Sequence, residues 1–253
     1  MRHLHFGKLF FVVFSLLLAY TVSARKPIKT LLITGQNNHN WQVSHVVLKQ
    51  ILENSGRFDV DFVISPEQGK DMSGFVLDFS PYQLVVLDYN GDSWPEETNR
   101  RFLEYVQNGG GVVIYHAADN AFSKWPEFNR ICALGGWEGR NENSGPYVYW
   151  KDGKLVKDSS AGPGGSHGRQ HEYVLNGRDK VHPVVKGLPL KWRHAKDELY
   201  DRMRGPGFCT RPIRIRKQTV PVVKNRWYLR SITGMLASSI RCLAMPVLLR
   251  KII

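Results

Sequence analysis

The chain has 253 residues, with 35 Lys and Arg against 22 Asp and Glu, a formal net charge of +13. That length supports one α/β domain whose core needs no covalent staples, and Cys132, Cys209 and Cys242 show no paired spacing that would suggest a disulfide framework. The charge does not signal nucleic acid: residues 205–253 carry ten basic side chains and no acid, while residues 25–204 hold 23 basic and 22 acidic ones, and a phosphate-binding patch belongs on the folded body.

Residues 1–24 read as a signal peptide. Arg2 and Lys8 give a positive start, Leu9 to Tyr20 is almost wholly apolar, and Val22-Ser23-Ala24 ends in a small-residue cleavage pattern. The apolar run is too short to span a bilayer comfortably. The expectation is therefore an exported protein, periplasmic or secreted, with no stable membrane anchor after cleavage.

Lys29 to Thr34 is the first expected strand, followed by a polar loop from Gly35 to Trp41. From Gln42 to Asn54, Val43, Val46, Val47, Leu48, Ile51 and Leu52 recur at helical spacing, and Gly56 stops the helix. Phe58 to Ile64 and Gln83 to Leu87 read as strands two and three, the latter ending in the polar Asp88 to Asp92. Pro95 opens a helix with Glu96 and Glu97 in its first turn, where they complement the dipole. Gly109-Gly110-Gly111 then turns the chain into Val112 to Tyr115, an apolar run typical of a strand buried on both faces.

Such alternation calls for a parallel sheet with helices on both sides. His39, Asp88 with its loop, and His116 then all fall at the carboxyl edge, where open α/β sheets bind ligands. Beyond a short helix over Pro126 to Leu134, composition changes. Residues 141–170 are rich in Gly, Ser, Pro and Asn and read as one long loop. His171 to Leu175 returns to strand, His182-Pro183 reads as a turn, and Asp197-Glu198 is either a site pair or the first turn of a helix.

Six blocks in order resemble the trehalose-utilisation (ThuA-like) family: NNHNW at 37–41, GGGVVIYHAADNAF at 109–122, GGWEGR at 135–140, HEYVL at 171–175, HPVVKGLP at 182–189 and DELYDRMRGP at 197–206. The resemblance implies a flavodoxin-like, class I glutamine amidotransferase-like three-layer sandwich with a mostly parallel sheet, and a link to sugar metabolism. It gives a domain over residues 25–206. Amidotransferases of that fold carry a cysteine nucleophile at the turn after the central strand; here His116 stands there, so glutamine hydrolysis has no nucleophile.

The expected site gathers His39, His116 and His171 as acid–base groups, with Trp41, Asn120, Trp137, Asp197 and Glu198 as sugar contacts; His167 is a further candidate, and Glu172 is an alternative to His171, since strand alternation sends those two to opposite faces. No cofactor is fixed by the sequence. A divalent metal such as zinc is compatible with His39, His116 and His171, although beyond residues 1–24 no HxH or HExxH spacing is present. Two functions follow: a sugar-processing hydrolase or lyase using His116, or a non-catalytic carbohydrate-binding module on the same pocket. The expected partner is a small carbohydrate, with the oligomeric state left open.

Residues 207–253 read as an atypical basic tail. They lack acids, capping signals and a clean amphipathic period, and an alternative frame over Asn225 to Pro246 can encode strand-like runs with FHT and GH. Those look like the family's closing segment, so the tail reads as a frame-shift product and the sheet as short of its native last strands, and the alternative to a working protein is a poorly stable copy left inactive by that truncation.

Overall fold

The computed structural model describes residues 26–177 and 187–205. The expected signal peptide, His182-Pro183, Cys209, Cys242 and the basic tail lie outside them. Four strands form the main sheet: β1 (Ile28–Thr34), β2 (Phe58–Ile64), β3 (Leu84–Leu87) and β4 (Gly111–Ile114), in the order β2-β1-β3-β4. Every pairing is parallel, with Leu32 opposite both Phe62 and Val86, and Val86 opposite Val113. This is the beginning of the flavodoxin-like order, in which the chain winds outward one way and then reverses.

Alternation along each strand builds two cores. Leu31, Ile33, Val85, Leu87, Val112 and Ile114 point to one face, against Phe75, Phe79, Phe102, Phe128 and Ile131. Leu32 and Val86 point to the other, against Leu48 and Leu52. Helix α1 (Trp41–Asn54) covers this second face, while α2 (Glu96–Gln107) and α3 (Pro126–Cys132) belong to the first, which makes three layers. Burying such strands on both sides is what their unbroken apolar runs demand.

Residues 141–170 are more structured than a long loop. A hairpin pairs β5 (Tyr147–Lys151) with β6 (Lys154–Asp158), turning at Asp152-Gly153 with φ of 51° and 77°. Two positive φ values in a two-residue turn match strand twist, which is why Asp-Gly favours hairpins. Arg204, 1% exposed, clamps this region: it donates to Gly145 O at 2.9 Å and Ser160 O at 2.7 Å and stacks over Tyr147 at 3.6 Å.

Two strands of two residues and two longer ones close the described fold. β7 (Ser166–His167) pairs antiparallel with β10 (Tyr200–Asp201), and β8 (His171–Asn176) pairs antiparallel with β9 (Lys191–Asp197). Asp197 and Glu198 therefore sit at a strand end and the following turn, and do not open a helix.

Candidate functional site

The site assembles at the carboxyl edge, where β1 and β3 part company. Gly35 leaves β1 with φ of 120°, and a Cβ there would lie 2.4 Å from Ser65 N, so only glycine admits the turn. The loop beyond is fixed by side chains. His39 N donates to Asn37 Oδ1 at 3.0 Å, and Asn37 Nδ2 donates to Asp88 Oδ1 at 3.2 Å. Asp88 Oδ2 accepts from Ser44 Oγ at 2.5 Å and Thr34 Oγ1 at 3.4 Å. One buried carboxylate thus ties the end of β1, the His39 loop and the first turns of α1. Its burial pushes the Asp88 carboxyl up to about 6, against the opposing pull of Ser44, Thr34, His45 and Asn37.

His116 follows β4 directly, after Tyr115, and holds φ at 49°. A positive φ is uncommon for a residue with a β-carbon and collects at functional turns. The His116 ring lies 4.0 Å from that of His39, centroid to centroid. Glu198, in the turn between β9 and β10, completes the group: one ligand atom each from His39, His116 and Glu198 fall within 4.8 Å of one another. All three are half-buried. The Tyr200 hydroxyl meets His116 Nδ1 at 3.1 Å, which orients the imidazole.

An aromatic wall continues from Tyr200. Trp137 meets its ring edge-on at 4.5 Å and His167 stacks on it at 6.0 Å. Trp41 heads α1, its ring 5.9 Å from that of His45. Asn120 is 5% exposed, and its carbonyl accepts from the buried Arg140 at 2.7 Å. His171 is exposed at the start of β8, with Nδ1 3.0 Å from Arg169 O and its ring 5.7 Å from Tyr173. It faces Asp197 across the ladder, one residue before Glu198. Asp197 Oδ1 accepts from Glu198 N at 2.8 Å, shaping the turn. Glu172, also exposed, pairs with Arg193.

The fold therefore gathers His39, His116 and Glu198, and of the three histidines expected together it joins two in that cluster. Sequence reasoning missed Tyr200, Asn37 and the role of Asp88. Asp88 carried a signal, as the first polar residue after a buried strand; Tyr200 carried none beyond its place in the DELYDR block.

Two nitrogen donors and a carboxylate oxygen form a set that zinc accepts, with the fourth position open in catalytic sites. His39, His116 and Glu198 fit such an ion by chemistry and proximity. The same three groups can move protons unaided, since imidazole and carboxylate exchange them near neutral pH.

A parallel sheet in this order, with a polar cluster at the switch point, defines a flavodoxin-like α/β protein. The ThuA profile, described as trehalose utilisation, matches residues 29–226. The chain belongs to the ThuA family. It is similar to a solved chain described as ThuA-like from Bacteroides uniformis ATCC 8492, at 19% identity with a TM-score of 0.44. That likeness covers 70% of this chain and 62% of the other. No curated protein sequence matches.

Proposed function

We propose that this protein processes a carbohydrate of the trehalose type, or an oxidised derivative of one, at the cluster of His39, His116 and Glu198. The observation that carries this reading is the 4.0 Å approach of the two imidazoles beside a carboxylate, at the edge where such sheets bind ligands. His116 is the proton donor and acceptor. Tyr200 holds its ring, Asp88 holds the loop of His39 through Asn37, and Glu198 stabilises positive charge on the imidazoles. Trp41 and Trp137 offer flat apolar faces to a sugar ring, and His171 flanks the entrance beside Asp197. A zinc ion held by His39, His116 and Glu198 would supply Lewis acidity to a bound oxygen.

Among the described residues, thiolate chemistry has no place. Cys132 is 3% exposed, and burial pushes its thiol up to about 12, which keeps it protonated and out of reach of substrate.

His116→Asn tests the assignment. Turnover of the sugar substrate should fall by about 10²–10⁴ while affinity stays within a few-fold. Unchanged turnover rejects the acid–base role, and a wild type that binds sugar without converting it marks a binding module. Export is part of the proposal: the mature protein should begin near Arg25, and mass spectrometry of native protein retaining Met1 would contradict it. No helix among the described residues is long and apolar enough to cross a membrane.

A further inference from the structure

The block from Gly135 to Arg140 ends in a guanidinium that the proposed chemistry does not use. Arg140 is 3% exposed, and its hydrogen-bond acceptors are three backbone carbonyls and one amide oxygen. Nη1 donates to Asn120 O and Gly136 O, each at 2.7 Å. Nη2 donates to Ala121 O at 2.8 Å and to Asn129 Oδ1, on α3, at 2.9 Å. Burying a cation is costly unless its donors are satisfied, and here the planar fork is. Two glycines make the room for it. A Cβ on Gly135 would lie 2.7 Å from Arg140 Nε, and one on Gly164 would lie 2.9 Å from Arg140 Cβ.

The two segments that Arg140 joins each carry a wall of the site. Asn120 and Ala121 follow the single turn that begins at His116, where φ is 49°. Gly136 leads into Trp137 and Glu138, whose φ values of 50° and 49° are both left-handed. Such backbone is unfavourable for residues with a β-carbon and persists only where the surroundings hold it. Trp137 N donates to Gly164 O at 2.7 Å, and Arg140 N donates to Trp137 O at 2.9 Å, so this turn closes on Arg140 itself. The aromatic side chains then lead back to the start. Trp137 meets Tyr200 edge-on at 4.5 Å, and the Tyr200 hydroxyl meets His116 Nδ1 at 3.1 Å. Arg140 thus completes a closed circuit of contacts through His116, Tyr200 and Trp137.

We infer that Arg140 is a positioning residue of the site. Its fork holds the His116 turn and the Trp137 turn at one spacing, and through Trp137 and Tyr200 it sets the direction of the His116 imidazole. The catalytic meaning of that alignment rests on the acid–base reading of His116. Lysine cannot stand in: its ammonium keeps the charge but has three donors for four oxygens, and no planar fork.

Proton NMR of the full chain, with no ligand added, tests it. Wild type should show cross-relaxation from the Tyr200 ring to the rings of Trp137 and His116, whose centroids lie 4.5 and 5.5 Å away. Arg140→Lys should cut both signals by more than half, while contacts between β1 and β3 keep their full intensity. Gly164→Ala, which presses a methyl group against the stem of Arg140, should act in the same direction and serves if Arg140→Lys fails to fold. Ring contacts missing from wild type, ring contacts at wild-type strength in a folded variant, or a loss that takes the main sheet with it in both variants overturns the assignment. The acid–base reading fails separately, on turnover by His116→Asn, and its failure leaves the dependence of the ring contacts on Arg140 untouched.

Discussion

Asp88 is a buried carboxyl whose surroundings oppose its charge. It is 1% exposed, and its carboxyl is raised to about 6 from an ordinary 3.8. A raised carboxyl contributes stability that is complete below the unfolded value and is lost as pH rises through the folded one. Stability should therefore fall between about pH 4 and pH 6 by on the order of 3 kcal/mol through this group. Asp88→Asn should flatten that part of the profile, measured by urea unfolding across the range; a variant with the wild-type slope refutes the assignment. Tyr200 gives a second test at this scale. Removing its hydroxyl in Tyr200→Phe loses one hydrogen bond, about 1 kcal/mol, so turnover should drop several-fold with KM little changed. His116 and His39 were legible because polarity arrives abruptly after a buried apolar strand. Glu198 was only half legible: its chemistry was plain, but its place beside two histidines depends on where β9 and β10 fall.

At the scale of elements, local pattern sufficed wherever the chain obeyed one period. The helical recurrence of Leu48 and Leu52 and the apolar runs of β1, β3 and β4 gave their elements directly. Residues 141–170 read as loop because Gly, Ser and Pro surround two strands of five residues each, and because Arg204, far along the chain, braces them. The Asp152-Gly153 turn was the one local sign. Gly153 holds φ at 77°, so Gly153→Ala should destabilise the hairpin by about 1 kcal/mol. Faster amide exchange across β5 and β6 with the main sheet unaffected is the expected result; unchanged protection would show the turn to be incidental. Phe102, fully buried between α2 and the sheet, belongs to the other extreme. Phe102→Ala should cost about 3–5 kcal/mol in chemical unfolding, and a loss under 1 kcal/mol would mean that this face packs loosely.

For the whole molecule, the site is drawn from widely separated stretches: His39 after the first strand, His116 after the fourth, and Glu198 beyond a further hairpin. The expected frame shift in residues 207–253 is decided by the coding DNA, which should read through Asn225 to Pro246 without a stop in the alternative frame. The described sheet ends at β4 on one side and β2 on the other, and β2 exposes Phe62 and Ile64. The separation of the three site residues has a thermodynamic corollary. A ligand that bridges His39 and Glu198 closes a loop of more than half the chain, and binds only when nearly all of that loop is in place. By mass action it then stabilises the native state as a whole: at a free concentration a hundred times its Kd, by about 2.7 kcal/mol. Occupancy of the cluster is in that sense a report on the integrity of the fold, delivered from a single point on its surface.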